Sequence, residues 1–97
     1  MNLIDCITWI AEQISEELMD STRYIHEAEK WRDKHPELAE LYKELSAEEL
    51  NHAERLHEEG TKIVDGSDDH DTVVVWEWET ERTKKWMAEI KVMHEMW

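Results

Sequence analysis

Apolar positions recur at three-and-four spacing through the first third of the chain. Leu3, Ile7, Ile10, Ile14, Leu18, Ser21, Tyr24, Ile25, Ala28 and Trp31 fall on one helical stripe, which predicts a helix over residues 3–33. Asp33-Lys34-His35-Pro36 is the break. Proline disfavours helical geometry at His35 and suits the first position of a new helix. Glu37 then lies in the first turn, where the helix dipole favours an acid. A second helix is expected from Pro36 to about Val64, with Leu38, Leu41, Leu45, His52, Leu56 and Ile63 as its apolar face. Gly60 is a fray point near its end.

Asp65-Gly66-Ser67-Asp68-Asp69-His70-Asp71 reads as an acidic, turn-forming linker. Its aspartates could attract calcium, but their spacing lacks the later bidentate glutamate of an EF-hand loop. Residues 72–78 alternate briefly like a strand. A lone strand would have no pairing partner here, so a C-terminal helix is expected over 72–97. Thr83, Trp86, Ile90, Met93 and Trp97 form its stripe, and Trp76 and Trp78 add to its tryptophan content. The fold class is therefore all-α: one domain, with an antiparallel hairpin over 3–64, a linker over 65–71 and a helix over 72–97.

Composition narrows the function classes. A chain of 97 residues makes one small domain, and so small a domain gains from association. A net charge of −14 argues against nucleic acid and anionic membrane as partners. A single cysteine, Cys6, excludes an intramolecular disulfide and a four-thiolate metal knuckle. No run is apolar enough to span a bilayer, and no basic leader precedes the first helix, so a cytoplasmic location is expected.

The hairpin can be set in register about residue 33. Leu3 then faces Ile63, Ile10 faces Leu56, Ser21 faces Leu45, Tyr24 faces Tyr42 and Ala28 faces Leu38. The same rule sets Glu17 against Glu49 and Ile14 against His52. Leu3, Ile10, Glu17, Tyr24 and Trp31 form an unbroken seven-residue series, so Glu17 belongs to the seam. One layer of that seam thus holds two carboxylates and an imidazole. Burying two unpaired carboxylates together is costly, and a metal cation removes the cost. The competing reading has these residues at the edge of the seam, reaching water.

Glu49-x-x-His52 places an oxygen and a nitrogen donor on one helix face, a pairing that suits a borderline metal. A second copy, Glu54-x-x-His57, lies off the seam. His57 is roughly 140° round from His52 at about 100° per residue, and it is expected to face water with His26, His35 and His70. Di-iron carboxylate bundles need two such sets, a Glu from each of two helices and Glu-x-x-His from each of the others. This chain supplies one set. Two copies about a two-fold axis would supply both, which predicts a homodimer with a shared site. Glu16, Asp20 and Glu48 flank the layer, and Glu79 is the one acid on the stripe of the third helix.

Glu17 with Tyr24, followed by Glu49-x-x-His52-Ala53-Glu54-Arg55-Leu56, resembles the first half of rubrerythrin and related ferritin-like proteins. Pro36-Glu37-Leu38 ahead of that motif is similar to encapsulated ferritin. The resemblance covers about residues 12–60. It implies a helix hairpin that dimerises into a ferritin-like four-helix bundle, or assembles further. It implies a di-iron centre shared by two chains, open also to manganese, with Glu17, Glu49 and His52 as ligands. Tyr24 matches a tyrosine near that centre. The implied activity is ferroxidase-type oxidation of ferrous iron, for storage or detoxification. An encapsulin shell is the implied compartment, although Met93-His94-Glu95-Met96-Trp97 matches no recognised targeting tail. The alternative class is a non-enzymatic assembly or adaptor protein that docks through its tryptophan-rich C-terminal helix.

Overall fold

A computed structural model describes residues 2–97. Three helices follow in order: α1 Leu3–Trp31, α2 Pro36–Asp65 and α3 His70–Glu95. The described residues contain no strand. None of the helices is long and apolar enough to cross a membrane.

Local chemistry sets each boundary. The Asn2 side chain caps α1 by accepting the Asp5 backbone N–H at 2.9 Å. Helix α1 stops at Trp31, two residues before the expected end, and Pro36 opens α2 at its first turn. The acidic connector is shorter than expected because its own aspartate caps α3. Asp69 accepts the Asp71 N–H at 3.2 Å and the Thr72 hydroxyl at 2.7 Å. His70 and Asp71 are thereby drawn into the helix, which continues through the alternating stretch as expected.

Helices α1 and α2 form the antiparallel hairpin, and α3 lies along one side of both. The face of α2 that does the packing differs from the one expected. Its buried residues are Ala39, Ser46, Leu50, Ala53, Gly60 and Val64. Ala39, Ser46, Ala53 and Gly60 make a seven-residue series of small side chains, which lets neighbouring helices approach closely. The larger apolar residues lie roughly 90° further round, at about 100° per residue. Leu41 is 50% exposed, Leu38 39% and Ile63 37%. Three helices in a layer cover only one broad side of the hairpin; Leu38, Leu41 and Ile63 are on the other, while Leu56 packs against the core.

The core joins Ile7, Ile14 and Leu18 of α1 to Leu50 and Ala53 of α2 and to Trp76, Met87 and Ile90 of α3. The Trp76 indole N–H donates to Thr61 at 3.1 Å, and that of Trp86 to Thr22 at 3.0 Å. Trp97 lies under Arg32 and Lys43, at 4.8 and 5.3 Å from its ring centre. Most of the tryptophans of the C-terminal segment thus attach it to its own hairpin, while Trp78 stays 76% exposed.

Candidate metal centre

The register of the hairpin is fixed by a reciprocal pair. The Ser21 hydroxyl donates to the Ser46 carbonyl at 2.8 Å, and the Ser46 hydroxyl donates to the Ser21 carbonyl at 2.7 Å. Both serines are fully buried. Ser21 therefore meets Ser46 and not Leu45, a shift of one residue that brings the small series of α2 inward. Tyr24 stacks on Tyr42 as expected, with ring centres 6.0 Å apart.

One turn further along, the same register sets Glu17 of α1 beside Glu49 and His52 of α2. His52 Nδ1 lies 3.6 Å from a Glu17 oxygen and 3.7 Å from a Glu49 oxygen. One donor atom from each residue lies within 4.8 Å of the other two. No other described residues bring three such donors together. Ile14 is buried in the core, whereas the His52 side chain is 49% exposed and turned toward the carboxylates. Gln13, one turn before Glu17, donates to its second oxygen at 3.4 Å.

The two carboxylates lie close enough to shift each other's titration in opposite directions. The hydrogen bond to Glu17, then burial, then the charge of Glu17 push the Glu49 carboxyl up to about 7. The same hydrogen bond holds Glu17 below its ordinary range, with help from Gln13 and His52 against the effect of burial. Two carboxylates converging beside an imidazole mark a position where a divalent cation would neutralise the pair. The donor set, two oxygens and one nitrogen, fits iron or manganese. The layer opens onto a cleft of about 430 Å³ lined by Gln13, Glu17, His52, Arg55 and Leu56. Glu17, Glu49 and His52 are thus level with the uncovered leucine stripe.

The remaining candidates separate cleanly. Tyr24 lies two turns from Glu17, about 10 Å along the helix, and its ring is engaged by Tyr42 and by Arg23 at 5.1 Å. Asp20 pairs with Arg23 at 3.1 Å, and Glu16 and Glu48 are exposed. Glu79 pairs with Arg82 at 2.8 Å. The second Glu-x-x-His corrects the expectation that it faces water. His57 is half-buried, stacks on Trp76 at 5.2 Å and bonds the Thr80 hydroxyl at 2.8 Å, while Glu54 pairs with Lys91 at 3.4 Å. Helix α3 covers this side of α2, which the hairpin alone would leave wet.

His94 was not singled out by sequence. Its Nε2 lies 2.9 Å from the Ser46 hydroxyl. Because that hydroxyl already donates to Ser21, His94 is the donor and carries its proton on Nε2. Its signal was available: Thr83, Met87, Ile90 and His94 continue one helical stripe, the first three buried.

Compared with protein families, residues 9–96 match rubrerythrin. The chain belongs to the rubrerythrin family. Rubrerythrins are ferritin-like, and the family binds iron at a di-iron site with generally oxidoreductase character. The rubrerythrin match takes in Glu17, Glu49 and His52 and the whole of α3. Comparisons with curated proteins and with solved structures returned no match.

Proposed function

We propose that this rubrerythrin-family chain oxidises ferrous iron at a di-iron centre shared between two subunits, for iron storage or detoxification. The observation that carries the reading is the meeting of Glu17, Glu49 and His52 on an uncovered face of the hairpin. Each chain offers one half of the ligand set that di-iron carboxylate bundles use. A second chain across that face supplies the other half. Manganese would satisfy the same donors.

Glu49 and Glu17 would bind the cation as carboxylates, so any proton on Glu49, whose carboxyl is raised to about 7, leaves to solvent as the metal enters. His52 gives a nitrogen donor through Nδ1, the ring atom that faces both acids. Gln13 holds the outer oxygen of Glu17 and leaves the inner one for the metal. The substrate iron supplies the electrons: two ferrous ions each give up one, and dioxygen with two protons leaves as hydrogen peroxide. Tyr24 acts from two turns away as a packed neighbour of the centre.

Anaerobic titration with ferrous iron, followed by admission of air, tests this directly. Binding should saturate near one iron per chain, and ferric absorbance should then rise. Glu49→Ala should abolish both. Binding that ignores this substitution would remove the reading. A chain that sediments as a monomer with metal bound would remove the shared centre.

A further inference from the structure

Helices α1 and α3 run side by side and form a groove at the surface. Thr8, Ala11 and Ser15 of α1 and Val75, Glu79 and Arg82 of α3 line it, around a volume of about 210 Å³. Arg82 bridges the two helices by donating to Ser15 and to Glu79, at 2.8 Å each. Further along, the Trp86 indole donates to Thr22 at 3.0 Å. These bonds hold the two walls at a set spacing.

Exposed apolar side chains gather along the groove. Trp78 is 76% exposed, Val75 38%, and Val74 and Ile4 37% each. Val75 is part of the wall. Trp78 lies one turn beyond Val74 and Val75 and one turn before Arg82, which sets it on the rim. Ile4 shares a side of α1 with Ala11 and Ser15 at helical spacing. The backbone that carries Val75 is held from below by Trp76, which is buried and bonded to Thr61 at 3.1 Å. A tryptophan standing out beside branched apolar residues on a rigid helix is the composition of a contact surface.

Charge at this end of the molecule has one sign. Residues 1–22 contain no Lys or Arg, and neither do residues 63–81. Those two runs build both walls of the groove. Asp5 and Glu12 border it on α1, and Asp71, Glu79 and Glu81 on α3. Arg82, the first base after the second run, is already engaged by Glu79 and Ser15. We infer that this groove takes an amphipathic, basic helix of another polypeptide, its apolar side on Val75, Trp78 and Ile4 and its lysines or arginines against the acids of the margins. Two packed helices present ridges between which a third can lie, and an apolar helix face set into such a groove is a recurring mode of recognition. Nucleic acid and anionic membrane are repelled by the same acids. A second copy of this chain, docked by this face, would bring those acids against themselves.

Glu17 lies roughly 200° round α1 from Ser15, at about 100° per residue. Docking in the groove therefore leaves the Glu17–Glu49–His52 layer free, and the two can be tested apart. A dye-labelled leucine–lysine peptide, patterned as an amphipathic helix, is titrated with the full-length chain and followed by fluorescence anisotropy. It should bind, and more weakly as salt is added. A scrambled peptide of the same composition should bind about tenfold more weakly or worse. Trp78→Ser and Val75→Asn should each weaken the patterned peptide by about tenfold or more. Both side chains are exposed, so far-ultraviolet circular dichroism should be unchanged. Leu41→Ser, on the other exposed stripe, should leave binding as it is. Asp5→Asn with Glu12→Gln should flatten the salt dependence.

Equal binding of the patterned and scrambled peptides would overturn the docked helix, because net charge alone would then account for the attraction. Binding that ignores Trp78→Ser and Val75→Asn would overturn the groove as its place. Self-association of the chain that Trp78→Ser abolishes in sedimentation would put a second copy in the groove and overturn the partner helix.

Discussion

The Ser21 and Ser46 hydroxyls each donate to the other's backbone carbonyl, at 2.8 and 2.7 Å, across the α1–α2 contact. This pair locks the two helices in depth and in height, and Glu17 meets Glu49 one turn away as a consequence. The Ser46 oxygen also accepts the His94 N–H, so a single buried atom ties all three helices together. Replacing Ser46 by alanine strands a half-buried histidine donor and removes one half of the reciprocal pair. Ser46→Ala should cost about 1–3 kcal/mol, read as a lower urea midpoint at unchanged slope.

Gly60 is the close-approach point of α2 and α3. A Cβ there would overlap the Trp76 indole, whose Cζ2 lies 2.5 Å from the position it would take. The indole is pinned by its bond to Thr61 and its stack on His57, so it has little room to yield. Alanine has the better helix propensity by about 1 kcal/mol, yet overpacking of about 1–3 kcal/mol should exceed it. Gly60→Ala should therefore destabilise, and Trp76→Leu in the same chain should recover part of the loss. Thermal unfolding of the three variants measures this.

Stability of the metal-free chain should carry a signature of the raised Glu49 carboxyl. Glu49 is raised from 4.5 to about 7 by its bond to Glu17 and by burial. A carboxyl with a raised pKa contributes stability that is complete below its unfolded value and is lost as pH climbs through its folded value. The loss should fall between pH 4.5 and about 7. Glu49→Gln keeps an amide donor toward Glu17 and cannot titrate. Its stability, followed by urea unfolding at each pH, should lack that decline.

His94 gives the opposite slope. Burial, and then the charge of Lys43, lower its pKa from 6.5. Its contribution is complete above 6.5 and is lost as pH falls through the lower folded value. His94→Gln retains an N–H for Ser46 and removes the titration. The variant should lose less stability than the parent as pH falls from 6.5 to about 5, the acid side of the ordinary histidine range.

The leucines of α2 show why part of the fold was not legible. Size and periodicity chose Leu38, Leu41, Leu45, Leu56 and Ile63 as the packing face. Leu56 of that set packs against the core, but the residues α2 buries outright are Ala39, Ser46, Leu50, Ala53, Gly60 and Val64. A hydrophobic stripe reports that a face will be covered, but not by which element. Small residues report close approach only once a neighbour is known to be there. His57 and Glu54 were assigned to water for the same reason, since their cover comes from α3, which is distant in the chain.

The sequence by itself determined the three helices, the break at Pro36 and the meeting of Glu17 with Glu49 and His52. Helix periodicity is local, and a short turn between antiparallel helices leaves almost no freedom in register, so donors far apart in number become neighbours by arithmetic. Only the tertiary structure decided the rest. It showed α3 lying along the small-residue side of α2, with Leu38, Leu41 and Ile63 left exposed on the other side. Those outcomes depend on which of two competing faces buries more surface against a third helix, a comparison of packed volumes that no local pattern contains.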